Sequence, residues 1–339
     1  MMRSLGEYLA SQPNLKFIFT GGKGGVGKTA AAVGLAYHFA SQGKKTLVAS
    51  LNPVHSLTSC FGRDCSGGEP KEIVENLYAC EVETEDVVER YRENIGRRVK
   101  DFLKWADIPV AAGPFIDIAV TNPAFEESAM FDKMTDIMLE EKEKYEVMIF
   151  DTAAVANAIR LIGLSKIYGL WLSRMIESRK EALSLRVQLS FRKEKMMEEV
   201  KQDPLMADLI SMNEKFIRAK RLLTDPATTA FFFVTLPLAL PIAVVKRFIK
   251  MVRAYDIPVG GVIVNQVLRR EIVEASEGDE YLSNKFQEQW GYMTTIKEDL
   301  GDLVRAFIQL YPDEVACVEM VAKVSDDLLH YVPEFWEEL

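Results

Sequence analysis

Nine consecutive residues, Gly21-Gly22-Lys23-Gly24-Gly25-Val26-Gly27-Lys28-Thr29, satisfy the spacing G-x-x-x-x-G-K-T and place a second lysine, Lys23, inside it. Glycines at that spacing let backbone N–H groups turn inward around a phosphate. A helix beginning near Lys28 aims the positive end of its dipole at the same anion. Lys28 is expected at the β- and γ-phosphates of a nucleotide and the Thr29 hydroxyl on Mg²⁺, with the backbone from Gly22 to Ala30 lining the cradle. The implied ligands are ATP and Mg²⁺.

A cradle of this kind needs a strand to deliver it and a helix to receive it. Leu15-Lys16-Phe17-Ile18-Phe19-Thr20 reads as a buried strand, and residues 30–39 are rich in good helix formers. A second element ends in a carboxylate: Tyr145-Glu146-Val147-Met148-Ile149-Phe150-Asp151 is an apolar strand whose last residue is the candidate magnesium-organising aspartate. Apolar strands ending in Asp are common, so Asp151 gains its weight beside the loop at 21–29.

Further strand candidates recur at 45–50, 77–82, 230–236, 259–265 and 292–296, with helical periodicity between them. Alternating strands and helices predict an α/β fold with a mostly parallel sheet flanked by helices. Residues 86–140 and 171–223 do not fit a minimal nucleotide fold. They are helical and rich in methionine, so the expected organisation is a nucleotide-binding core of 1–85, 141–170 and 224–339 with an inserted helical subdomain. Wide apolar arcs there either pack as bundle core or, with Met175, Met196, Met197, Met206 and Met212, form an adaptable groove for a hydrophobic helix.

A net charge of −9 over 339 residues argues against a nucleic-acid partner. The N-terminus has no apolar signal core and no uninterrupted run of eighteen apolar residues occurs, so a cytosolic protein is expected. Cys60, Cys65, Cys80 and Cys317 are scattered, and structural thiols are the default reading. A metalloid cluster of the first three is the weaker alternative on spacing.

Five ordered segments together resemble the ArsA-type ATPases, which include the arsenite pump ATPase and the ATPase that targets tail-anchored membrane proteins. They are the loop at 22–29; Ser50-Leu51-Asn52-Pro53-Val54-His55-Ser56-Leu57, similar to the family's first switch; Pro123 to Glu127; Leu223 to Thr229; and Val262-Ile263-Val264-Asn265-Gln266. The resemblance implies an ATP-hydrolysing homodimer in which Lys23 reaches the partner's nucleotide and Asn265 recognises adenine. It also implies a hydrophobic transmembrane-helix client and leaves room for a membrane receptor.

Three departures stand out. Asn52 occupies the position of the family's switch aspartate, and an amide cannot take the proton of the attacking water, which predicts hydrolysis slowed by roughly 10²–10⁴-fold. The second switch reads Asp151-Thr152-Ala153-Ala154-Val155-Ala156-Asn157-Ala158, with Ala156 replacing a glycine. No Cys-x-x-Cys pair occurs in Leu268 to Leu282, so a zinc-bridged dimer is not expected. Helix targeting is the stronger of the two family roles. The alternatives are a metalloid-efflux ATPase subunit and a nucleotide-binding scaffold with little turnover. Partitioning ATPases share the loop, but the acidic, proline-broken C-terminus is a poor cationic membrane anchor.

Overall fold

A computed structural model describes residues 4–52, 54–105, 123–152, 173–174, 177, 181, 184, 204–276 and 278–339. Eight strands form one sheet: β1 (Phe17–Gly21), β2 (Thr46–Ser50), β3 (Lys71–Val74), β4 (Leu77–Glu81), β5 (Val147–Asp151), β6 (Thr229–Thr235), β7 (Val259–Val267) and β8 (Val304–Gln309). Their order is β3-β4-β2-β5-β1-β6-β7-β8, and every pairing is parallel except β3 with β4.

Four of these strands, β1, β2, β5 and β6, are buried along their whole length, which is what a parallel sheet covered on both faces requires. Ile18, Val48, Ile149, Ala230 and Ile263 belong to one apolar cluster, together with α2 (Lys28–Ser41) and α10 (Val318–His330). Phe19 stacks on Phe150 at 5.0 Å and on Phe231 at 4.4 Å, because the register sets these three residues opposite one another on β5, β1 and β6.

Among the described residues the other helices with defined bounds are α1 (Leu5–Ala10), α3 (Ser56–Phe61), α4 (Thr84–Trp105), α5 (Pro123–Glu141), α6 (Pro204–Leu223), α7 (Ala239–Arg253), α8 (Arg270–Ala275) and α9 (Glu280–Leu300). Backbone contacts divide the chain into two compact units, 1–84 with 136–156 and 223–339, and 85–135 with 157–222. Within the second, Tyr91 meets Phe125 edge-on at 5.1 Å and Lys215 pairs with Asp132 at 2.7 Å. Met175, Met196 and Met197, and the side chains of Met206 and Met212, lie outside the described residues.

Three sheet elements differ from the sequence reading. Residues 292–296 are helical: Asp279 caps α9 by accepting from the N–H groups of Tyr281 and Leu282, and Gln289, Met293, Ile296 and Leu300 repeat on its buried side. The β-forming residue types in that window give way to this longer periodicity. Strands β3 and β8 carry no clear apolar signal, because Lys71-Glu72 and Arg305 interrupt short apolar runs.

Helix α10 crosses closely over α2 at Gly34, where an added Cβ would lie 2.8 Å from Val324 and 2.9 Å from Leu328. Gly34→Val should therefore overpack this contact and lower the free energy of unfolding by about 1–3 kcal/mol, read from urea titration.

Candidate functional site

The sheet register assembles the site. Thr20 pairs with Asp151, and Asp151 pairs with Ser50, so the ends of β1, β5 and β2 form one row. The loop leaving β1, the Asp151 carboxyl and the segment beginning at Asn52 are thereby brought to the same edge, outside the carboxyl ends of parallel strands.

The loop itself is shaped by two constrained glycines. A Cβ on Gly22 would meet the Val234 carbonyl oxygen at 2.4 Å, and one on Gly27, whose φ is +87°, would meet Asn265 Nδ2 at 2.0 Å. Between them Gly24 and Gly25 face open space, and Lys23 is exposed. Gly27 caps α2 without any side chain, which leaves the first N–H groups of that helix for an anion. Val26 is buried, Ala30 lies in the first turn of α2, and the Val26 carbonyl accepts from Asn265 Nδ2 at 2.9 Å. Asn265 thus braces the loop, while its Oδ1 accepts from the Gln266 N–H at 2.8 Å.

Asp151 gathers the rest. Its Oδ2 accepts from Thr29 Oγ1 at 2.6 Å, Asn52 Nδ2 at 2.8 Å and Ser56 Oγ at 3.5 Å, whereas its buried Oδ1 has no hydrogen-bond partner among the described residues. Burial pushes the Asp151 carboxyl above its ordinary range, against the pull of Thr29 and the Lys28 ammonium. Lys28 is itself buried, donates to the Lys23 carbonyl at 3.1 Å, and is pushed below the ordinary lysine value by desolvation, opposed by Asp151. A buried ammonium short of anionic partners and a carboxyl oxygen short of a cation are what a phosphate and a divalent metal would satisfy. Lys28 and the loop N–H groups would hold the phosphates, and Thr29 with Asp151 the Mg²⁺, which would neutralise phosphate charge.

The family model described as anion-transporting ATPase matches residues 15–330. The chain belongs to the ArsA-type ATPase family. ATPase GET3C of Arabidopsis thaliana is 30% identical over 298 residues, covering 84% of this chain and 74% of the relative. ATPase GET3B of the same plant is 28% identical over 312 residues, covering 86% and 73%. The putative arsenical pump-driving ATPase 2 of Aquifex aeolicus is 25% identical over 311 residues, covering 92% and 98%.

Of the residues singled out in the sequence of this ArsA-type ATPase, Lys28, Thr29, Asn52 and Asp151 come together and Asn265 underlies the loop. Ala153 to Ala158, including Ala156, lie outside the described residues. Ser50 and Ser56, quoted only as parts of a motif, join the network, their hydroxyls 3.2 Å apart.

Among the described residues no three of His, Cys, Asp and Glu gather as a metal site. Burial and nearby carboxylates push Cys60 up to about 12, and burial pushes Cys65 up to about 11. At pH 8 the thiolate fraction of Cys60 is then on the order of one in ten thousand, so alkylation by iodoacetamide should be far slower than for an ordinary thiol. Mass spectrometry of timed reactions on the native protein reads this directly.

A buried acid with a raised folded-state value favours folding below the ordinary carboxylate range, and that contribution is lost as pH rises through the raised value. Asp151→Asn should remove this loss. At pH 7 the nucleotide-free variant should melt no lower than the parent, and added Mg²⁺ should no longer enhance nucleotide binding, as read by thermal melts and titration calorimetry.

Proposed function

We propose that this ArsA-type ATPase is an ATP-gated homodimeric targeting factor that shields the transmembrane helix of tail-anchored membrane proteins and hydrolyses ATP slowly. The observation that carries the nucleotide part is the convergence of Lys28, Thr29, Asn52 and Asp151 at one strand edge. Lys23, exposed on the loop, is free to extend toward a second subunit's nucleotide, where an added cation would offset charge on the transferring phosphoryl group. Asn265, held against the loop, is proposed to contact adenine.

Support for a client face comes from α6. Ile210 and Ile217 are both exposed, two turns apart on one side, and Ile217 is 57% exposed. Exposed isoleucines of this kind favour an apolar partner. Among the described residues no helix is long and apolar enough to cross a membrane. The metalloid-efflux reading finds no support in Cys60 and Cys65, whose raised values disfavour the thiolate form.

Slow turnover rests on Asn52. Its amide donates to Asp151 and cannot serve as a base, which also favours a second reading, a nucleotide-binding scaffold with almost no hydrolysis. Asn52→Asp separates the two. An aspartate there would stand beside the Asp151 carboxyl, so the nucleotide-free variant should be less stable than the parent. With Mg²⁺ and ATP present, the targeting-ATPase reading predicts turnover raised by about 10–10²-fold, and the scaffold reading predicts no gain.

The carrier role is tested by co-expression with a tail-anchored client carrying an apolar segment of about 20 residues. A soluble complex is expected. Ile210→Asp and Ile217→Asp should release the client and leave nucleotide affinity and melting temperature nearly unchanged, since exposed positions contribute little to stability. Retention of the client by both variants would remove the proposed face.

A further inference from the structure

We propose that Glu81 is a positioning residue for ATP hydrolysis: it anchors residues 55–58 from the side opposite Asp151, so that the switch moves about a fixed point. This inference rests on the reading of the 21–29 loop as an ATP site.

Glu81 ends β4 and is 2% exposed. Its Oε1 accepts the N–H groups of Leu57 at 2.6 Å and Thr58 at 3.2 Å. Its Oε2 accepts the Thr58 hydroxyl at 2.6 Å and lies 3.2 Å from His55 Nδ1. Helix α3 receives no capping hydrogen bond from the side chain at its own N-cap, His55. Glu81 supplies that cap from a neighbouring strand, so the start of α3 is fixed to the sheet rather than to the chain leading into it.

The register explains why this matters for the site. Glu81 pairs with Ser50, Ser50 with Asp151, and Asp151 with Thr20, so four strands contribute one row ending in the phosphate loop. The switch segment spans the two buried carboxyl groups of that row. Asp151 holds Asn52 and Ser56, and a metal at this carboxyl group would compete with those two donors. Glu81 holds Leu57 and Thr58, and none of its side-chain hydrogen bonds among the described residues reaches the phosphate loop. Two of the three groups around Asp151 Oδ2 can therefore be exchanged while the far end of the segment stays in place. Between the anchors Val54 is 70% exposed, so little packing resists movement there.

The full-length protein is compared with Glu81→Gln, Thr58→Val and Thr58→Ser. Glutamine keeps one oxygen for the two N–H groups but replaces the acceptor of the Thr58 hydroxyl by a donor. Valine deletes the hydroxyl, and serine keeps it. Hydrogen exchange at Leu57 and Thr58 should quicken in Glu81→Gln and Thr58→Val. Single-turnover ATP hydrolysis should fall by about tenfold or more in both, through misplacement of the switch. ADP affinity and KM for ATP should stay within about twofold, because the phosphate loop is untouched. Thr58→Ser should restore the rate and the slow exchange. Quickened exchange with an unchanged hydrolysis rate would make Glu81 merely structural and overturn the proposal, as would unchanged exchange and rate together. Should Glu81→Gln fail to fold, the Thr58→Val and Thr58→Ser pair decides by the same readings. A parent protein that binds neither ADP nor ATP would instead remove the ATP-site reading, whereas binding with an unaltered rate in the variants removes only the role of Glu81.

Discussion

One buried carboxyl group, Asp151 at the end of the central strand β5, organises this end of the molecule. Taking a carboxylate out of water costs several kcal/mol unless partners replace the solvent. Here one oxygen collects a threonine, an asparagine and a serine from three different segments while the other stays unpaired among the described residues. The charge is therefore stabilised unevenly. That imbalance, with the desolvated Lys28 ammonium across the loop, leaves the nucleotide-free state short of one cation and one anion. Ligand binding and switch position become linked through the same carboxyl group.

The sheet makes the arrangement reproducible. Parallel strands must be separated by crossover connections, so their carboxyl ends lie together and each can carry a loop to one edge. Because β5 sits between β2 and β1, the loop at 21–29 and the segment after Ser50 both reach Asp151 without long excursions. The stacked phenylalanines of β5, β1 and β6 and the apolar cluster beneath α2 hold those three strand ends in register.

Much of this was legible in the residues. The glycine spacing names the loop, and β1, β2, β4, β5, β6 and β7 announce themselves as apolar runs because they are buried. Asp151 was legible only in combination, since a strand ending in a carboxylate is unremarkable by itself. Glu81 carries the same signal, Leu77-Tyr78-Ala79-Cys80-Glu81, yet without a neighbouring motif it had nothing to distinguish it. Its function depends on register with Ser50, which no local pattern encodes. Residues 292–296 misled for the opposite reason: their side chains favour strands one at a time, while the cap at Asp279 and the buried repeat through Leu300 act over 21 residues. The role of Asn52 was readable as a loss of basicity, but its hydrogen bond to Asp151 belongs to the fold alone.

If the loop at 21–29 and Asp151 form a nucleotide site, its affinity must depend on Lys28. Titration calorimetry of the full-length protein with ATP in the presence and absence of Mg²⁺, beside Lys28→Ala, measures that dependence. Saturable binding strengthened by Mg²⁺ in the parent, and lost in Lys28→Ala while the variant keeps its fold by circular dichroism, is the predicted result. Equal binding by parent and variant, or none by the parent at millimolar nucleotide, would contradict it.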